Sequence, residues 1–185
     1  MSTEVEVEER SLRHHGVPPM RTGKFLQLAR MAYGMGYDPK SGALMFNSRV
    51  VLGVVSSMWT LAARERTTDG AVTAIDRALR TAITRMGHEI PQVQLWPYHI
   101  TLTSRAKGTS SPVIAQAKVS LDGWKATRKV RHADGVTAAA FLLFDAYDHI
   151  LWERWKERLE PAGVSPKAVL VTMLRQRERE RRARE

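Results

Sequence analysis

The chain has 185 residues, of which 43% are hydrophobic and 26% charged, with no cysteine and a formal net charge of +10 at pH 7. This length suffices for one ordinary domain with extensions and excludes a large barrel enzyme, which needs about 250 residues. Without cysteine, disulfides, thiol nucleophiles and thiolate metal sites are excluded. The longest apolar stretch, residues 50–63, is shorter than the about 20 residues of a membrane-spanning helix, and the acidic start lacks the layout of a signal peptide. We therefore expect a cytoplasmic protein with no membrane span.

The first 42 residues are predicted to form an arm and one helix. Residues 1–21 show no sustained periodicity and begin with an acidic stretch, so we interpret them as a flexible N-terminal arm. Residues 22–42 are predicted to form a helix, because Thr22 is a suitable cap and Asp38 and Pro39 would end it. The apolar residues at helical spacing are Phe25, Leu28, Ala29, Ala32 and Met35.

Residues 43–160 are predicted to form an α+β domain in which antiparallel strands are backed by two long helices. Residues 43–67 are rich in Val, Met, Leu and Trp and favour one or two strands with a break at Ser56 and Ser57. A buried helix would give a similar pattern. The first long helix is predicted to begin after Asp69, because apolar residues then repeat at spacings of three and four.

Alternating apolar residues predict three antiparallel strands in the second part of this domain. Pro97 shifts the phase of the first strand at a bulge or edge, and Asp122 and Gly123 are typical of a two-residue turn between the other two. The second long helix is predicted to open at Asp134 and Gly135. The three strands are predicted over residues 93–102, 113–121 and 124–130.

Two segments of the chain look alike. The stretches Thr68-Asp-Gly-Ala-Val-Thr-Ala74 and Ala133-Asp-Gly-Val-Thr-Ala-Ala139 both place Asp-Gly before a helix start, and β-like sequence precedes both. A match this short can arise by chance, because Ala is abundant in the chain. The matching context on both sides favours an internal duplication, so the domain is predicted to consist of duplicated βββα units.

Between Thr68 and Trp152 the chain resembles the C-terminal regulatory (dimerisation) domain of the 2-isopropylmalate synthase family. In that family two βββα units each lead into their helix through a turn of the type Gly-Asn-Gly-Pro-Val-Asp-Ala. The stretches that begin at Thr68 and Arg131 look like these turns, although this chain has Thr68, Ala71 and Thr73 where the family has Gly, Pro and Asp. The resemblance implies a free-standing dimerising module whose effectors bind near the turns at the dimer interface. The second unit's strands correspond to Tyr98–Ser104 and Pro112–Gly123.

The two Asp-Gly turns are the candidate ligand site. Backbone N–H groups at a helix N-terminus can hold a carboxylate or a phosphate. Alternatively, Asp caps the helix and Gly supplies a positive φ, which explains both residues without a ligand. The resemblance favours a small carboxylate ligand such as a branched-chain amino acid. The candidate residues are Asp69, Gly70, His132, Asp134 and Gly135.

A basic face on the second group of strands is the candidate surface for anions or partners. Polar and basic residues alternate with apolar ones along these strands, so they share the face opposite the helices. One interpretation is a solvated face whose lysines discourage edge pairing. The other is a docking surface for an acidic partner or nucleic acid. The candidate residues are Arg105, Lys118, Lys125, Lys129 and Arg131.

Residues 161–185 are predicted to form a basic C-terminal helix or tail. Glu178 with Arg182 and Glu180 with Arg184 form pairs four residues apart in the stabilising order, which favours a solvated helix of mixed charge. A tail that binds phosphate or a partner is the alternative.

The sequence has no pattern typical of catalysis or of metal binding. Its six histidines lie at unrelated spacings, and no nucleophile, phosphate-loop or dinucleotide-binding motif occurs. Asp145 and Asp148 share a helix and are interpreted as caps or surface charges rather than as an acid/base pair. We therefore expect a protein that is not an enzyme and uses neither cofactor nor metal.

Together these observations predict a non-catalytic assembly or regulatory module. Like the family domain that it resembles, it would form a homodimer or join a larger protein complex and bind a small carboxylate ligand. The alternative is a basic protein associated with nucleic acid or ribonucleoprotein, which the net charge, the basic face and the Arg-rich tail favour.

Overall fold

The computed structural model describes residues 20–55, 60–88, 94–102, 113–121 and 124–159, together with Ile90, Ala168 and Arg179. The predicted N-terminal arm up to residue 19, the strand break at residues 56–57 and the turn at residues 122–123 lie outside the described residues. Of the predicted C-terminal segment, only Ala168 and Arg179 are described, and both are helical.

The described chain forms an α+β fold of seven strands and two helices, which confirms the predicted class. The first sheet is antiparallel with the strand order β1-β2-β3-β4, and the second has the order β5-β6-β7. Three long strands followed by a helix occur twice along the chain, while descent from a duplication stays a prediction. The elements are β1 (Arg21–Thr22), β2 (Leu26–Tyr37), β3 (Leu44–Val54), β4 (Thr60–Thr67), α1 (Ala71–Arg85), β5 (Gln94–Leu102), β6 (Val113–Leu121), β7 (Trp124–His132) and α2 (Gly135–Leu159).

The predicted helix over residues 22–42 is wrong, because this segment forms β1, β2 and the turn after them. A bulge between Leu28 and Arg30 adds one residue to β2, so the core-facing side chains of Leu28 and Met31 are three positions apart. That interval imitates helical spacing. Beyond the bulge, large and small residues alternate from Met31 to Tyr37, which is the two-residue period of a strand.

The residues at the end of this segment form the turn of a β-hairpin and do not end a helix. The Asp38 carboxylate accepts a hydrogen bond of 2.5 Å from the Ser41 hydroxyl, and this hydrogen bond lowers the pKa of Asp38. Gly42 supplies the positive φ of 68° that brings the chain back into β3. In the second sheet, the phase shift predicted at Pro97 is confirmed by a register shift between Leu95 and Tyr98.

Both helices pack on the inner faces of the sheets and share one hydrophobic core. Helix α1 lies against β3 and β4, helix α2 lies against β6 and β7, and the two helices also contact each other. The Tyr147 hydroxyl of α2 donates a 2.5 Å hydrogen bond to Asp76 of α1, whose other oxygen accepts from Arg80 at 3.1 Å. The largest fully buried side chains include Phe25, Leu52, Ile75, Leu79 and Phe144.

Two carboxylates of α2 hold the chain where it leads into β2, so their interpretation as caps or surface charges is wrong. Asp148 is 5% exposed and accepts hydrogen bonds from three successive backbone N–H groups, at 2.6 to 2.8 Å. Asp145 forms a two-point ion pair with the Arg21 guanidinium. A Cβ added at Gly23 would lie 2.2 Å from Asp148 Cγ, so this position needs glycine. The three donors are the backbone N–H groups of Lys24, Phe25 and Leu26.

Candidate ligand-binding region at the helix N-termini

One cross-strand pair of the first sheet contacts the N-terminal parts of both helices. Tyr33 of β2 and Ser48 of β3 are direct partners, which places their Cα atoms about 4.5–5.5 Å apart. The Tyr33 hydroxyl donates to the Asp134 carboxylate at 2.7 Å, and the Ser48 hydroxyl donates to the Ala74 carbonyl in the first turn of α1 at 2.7 Å. The two predicted turns therefore lie at the same end of the molecule.

The second predicted turn is a well-satisfied helix cap. The Asp134 carboxylate accepts hydrogen bonds from the Thr137 backbone N–H at 2.7 Å and from the Thr137 hydroxyl at 2.5 Å, in addition to Tyr33. Burial alone would raise the pKa of Asp134, but these hydrogen bonds outweigh it and hold the pKa below its usual range. The same contact with Asp134 raises the pKa of the Tyr33 hydroxyl. This geometry confirms the capping alternative for Asp134.

His132 and Gly135 have structural roles beside this cap. His132 Nδ1 accepts a 3.0 Å hydrogen bond from the Asp134 backbone N–H, and the imidazole packs edge-on against the Phe141 ring at 5.4 Å. Gly135 is the first residue of α2. It is not among the described glycines with positive φ, so the predicted positive φ is wrong at this turn, where the helix has already begun.

The first predicted turn differs from the second because no side chain caps α1. Gly70 is the N-cap residue, with the predicted positive φ of 112° and no side-chain capping hydrogen bond. The predicted capping role of Asp69 is therefore wrong. Its carboxylate instead accepts hydrogen bonds from the Thr67 hydroxyl at 2.8 Å and from the Arg77 guanidinium at 2.6 Å. The first turn of α1 contains no acidic residue that would complement the positive end of the helix dipole.

An exposed apolar surface lies beside the start of α1. The side chains of Met35 and Tyr37 are 73% and 76% exposed, and Leu44, the direct partner of Tyr37, is exposed as well. Cross-strand pairing joins Met35 to Phe46 and Phe46 to Thr67, three residues before Gly70. We call Tyr33, Met35, Tyr37 and Leu44 the hairpin stripe.

The predicted basic face of the second sheet is partly within the described residues. Lys118, Lys129 and Arg131 are exposed, as predicted, while Ala115, Ala117 and Val130 are buried on the opposite face. Each of the three basic residues has an uncharged direct partner across the sheet, so none of these charges is directly opposed to another. For Lys125 the structure gives only the backbone pairing with Ser120, and Arg105 lies outside the described residues.

A second basic surface, which was not among the sequence-predicted candidates, lies on the outer face of the first sheet. Arg49 pairs directly with Arg64, and Arg66 pairs directly with Asn47. Arg64 and Arg66 are two residues apart in one strand, so a two-residue period could have placed them on a common face. Their proximity to Arg49 depends on the register of β3 against β4, which is a tertiary property.

No protein-family model matches the chain, and no curated protein matches it significantly. The resemblance to the synthase regulatory domain therefore stays a prediction. Within the described part of the chain, no helix is long and apolar enough to cross a membrane, and no group of three or more His, Asp or Glu residues could hold a metal ion.

Proposed function

We propose that this protein is a non-catalytic assembly or regulatory module that dimerises and binds a small carboxylate ligand. The observation that supports this proposal is the start of α1, where a helix without a side-chain cap lies beside an exposed apolar surface. The backbone N–H groups at such a helix end attract a carboxylate. An adjoining apolar surface suits the side chain of a branched-chain amino acid.

Introducing a carboxylate of the protein's own at the start of α1 tests the ligand part of the proposal. Thr73→Glu places an acidic side chain in the first turn, where it competes with a bound carboxylate for the same N–H groups. We expect leucine, isoleucine or valine to raise the melting temperature of the wild-type protein and to have no effect on Thr73→Glu. Thr73→Met is the matched control, because its side chain has a similar length but no oxygen that accepts from these N–H groups, and it should keep the response. No thermal response of the wild type to any of the three amino acids would contradict the proposal.

The hairpin stripe is the surface through which we expect two copies to associate. A two-fold interface uses the same patch on both copies, so an apolar patch at its centre is self-complementary. Large exposed apolar side chains in one patch mark interaction surfaces. Light scattering should show a dimer for the wild type and a monomer for the double variant Met35→Glu and Tyr37→Glu. Met20→Glu changes an exposed apolar residue outside the stripe and should leave the dimer intact.

The alternative function, association with nucleic acid, is favoured by the exposure of Lys118, Lys129 and Arg131 on one sheet face. Contacts to phosphates release counterions, so binding to single-stranded RNA should weaken steeply with salt. Replacing these three residues by Gln should reduce the slope of log affinity against log salt concentration by the amount expected for the loss of about three phosphate contacts. An unchanged salt dependence in this triple variant would exclude the second sheet as the binding surface.

A further inference from the structure

The outer face of the first sheet concentrates arginine side chains on adjacent strands. Arg30 follows the bulge of β2, Arg49 lies on β3, and Arg64 and Arg66 lie on β4. The register of the strands places all four arginines on the face of the sheet that is turned away from α1. We call them the arginine face.

The register brings like charges into direct opposition on this face. Arg49 is the cross-strand partner of Arg64, and Arg66 is displaced from Arg49 by one diagonal step. Direct opposition of like charges in a sheet is destabilising. The same arrangement lets several guanidinium groups contact one anion, and a guanidinium fork matches the oxygens of phosphate in geometry.

A depression lies among these side chains. It has a volume of about 230 Å³. Its lining includes Arg49, Arg64 and Arg66, together with the small residues Ala32 and Gly34 of β2. A Cβ added at Gly34 would meet no atom within 4 Å, so space is open directly above this residue. A typical pocket for a drug-sized ligand is about 300–1,000 Å³, so this depression suits a compact group such as phosphate.

The other polar groups at the depression are compatible with an anion. Asn47 also lines it, and its side-chain Oδ1 has no hydrogen-bond partner among the described residues. Because an amide can rotate, the same side chain can instead present its NH₂ donors. The Glu65 carboxylate belongs to the opposite face, where it accepts a 2.8 Å hydrogen bond from the Thr81 hydroxyl of α1.

We propose that this depression binds a phosphate group, which Arg49, Arg64 and Arg66 contact. The phosphate belongs either to a small phosphorylated molecule or to the backbone of a single-stranded nucleic acid. This site is separate from the proposed carboxylate site at the start of α1, and the two proposals can fail independently.

Calorimetric titration of the full chain with pyrophosphate, and separately with a short single-stranded oligonucleotide, tests this proposal. Arg64→Gln and Arg66→Gln change exposed side chains, and each should weaken phosphate binding about tenfold, since each removes a charge-assisted hydrogen bond. Arg30→Gln is the matched control, because it removes the same charge from the same face outside the depression and should weaken binding less than twofold. Thermal melts confirm that each variant is folded.

A steric pair of variants tests the depression itself. Gly34→Val fills the open space and should abolish binding, whereas Gly36→Val adds the same side chain two residues along the strand, outside the lining, and should leave binding unchanged. Neither glycine has a positive φ, so neither substitution strains the backbone.

The outcomes separate the two phosphate sources. A small phosphorylated ligand is supported if pyrophosphate binds, if Arg64→Gln and Gly34→Val weaken this binding, and if the oligonucleotide does not compete with it. Oligonucleotide binding with the same dependence supports a nucleic-acid backbone. Equal weakening by Arg30→Gln and Arg64→Gln, or no binding of either probe, overturns the proposal.

Discussion

The two halves of the molecule repeat the same order of strands and helix but differ in what they expose. The first half (β1 to β4 and α1) has an uncapped helix start, the hairpin stripe and a cluster of opposed arginines. The second half (β5 to β7 and α2) caps its helix with Asp134, and its exposed basic residues Lys118, Lys129 and Arg131 have uncharged direct partners. Helix α2 also provides the groups that hold the first half in place, through Tyr147 and Asp148. From this difference we infer that the second half supports the first, and we expect the proposed ligand sites to lie in the first half.

The largest expected effect comes from removing the anchor that α2 provides for β2. Asp148→Ala leaves three backbone N–H groups without their acceptor, and each unsatisfied buried group costs about 1–3 kcal/mol. We expect the free energy of unfolding to fall by about 3 kcal/mol or more, as measured by urea denaturation. Asp148→Asn keeps one acceptor oxygen and should lose less. Equal stability of the wild type and Asp148→Ala would break the view that α2 supports the first half.

The hydrogen bond between the two helices should have the next largest effect. Tyr147→Phe keeps the buried ring but removes the hydroxyl that donates to Asp76, which is 4% exposed. A buried carboxylate that loses a donor is destabilised by about 1–3 kcal/mol, and urea denaturation should show a loss of this size. Double-mutant analysis with Asp76→Ala should show coupling, because each single change removes the same contact. Additive effects would contradict the contact.

The two Asp-Gly turns should respond differently to the same substitution. Asp134→Ala removes a helix cap and should cost about 1 kcal/mol in the free energy of unfolding. Asp69→Ala removes an exposed ion pair with Arg77, whose contribution is about 0–1 kcal/mol, so its effect should be smaller. Equal losses at the two positions would remove this difference between the halves.

The smallest expected effect is a change in the pH dependence of stability. Because the folded-state pKa of Asp134 is lowered, its ionised form adds stability above the unfolded-state pKa of about 3.9, and this stability is lost as the pH falls through the folded-state pKa. Urea denaturation between about pH 5 and about pH 2 should therefore show a smaller acid-induced loss for Asp134→Asn than for the wild type. The same acid-induced loss in both proteins would contradict the role of the Asp134 carboxylate.

The sequence predicts those parts of this fold in which a single periodicity runs without interruption. Helix α1 and strands β6 and β7 follow directly from such patterns, and the turn chemistry of Asp134 predicts its cap. In strand β2 the bulge between Leu28 and Arg30 interrupts the two-residue period, and for this reason the sequence of β2 predicts a helix.

The remaining features depend on contacts between distant parts of the chain. Asp148 contacts Lys24, Phe25 and Leu26, which lie more than 120 positions away, so its own helix gives no sign of this role. The opposition of Arg49 and Arg64 requires the register of β3 against β4. The sequence therefore predicts the candidate site as two similar turns. It does not predict that Asp134 caps its helix while α1 has no side-chain cap.

The most direct test of the claim that the first half contains the ligand sites is an NMR titration of the isotope-labelled full chain. Leucine should shift the backbone amide signals at the start of α1, around Gly70 and Thr73, and pyrophosphate should shift those around Gly34 and Arg64. The assigned signals around Asp134 and Lys118 should change little with either ligand. Shifts confined to the second half, or no shifts with both ligands, would contradict the account.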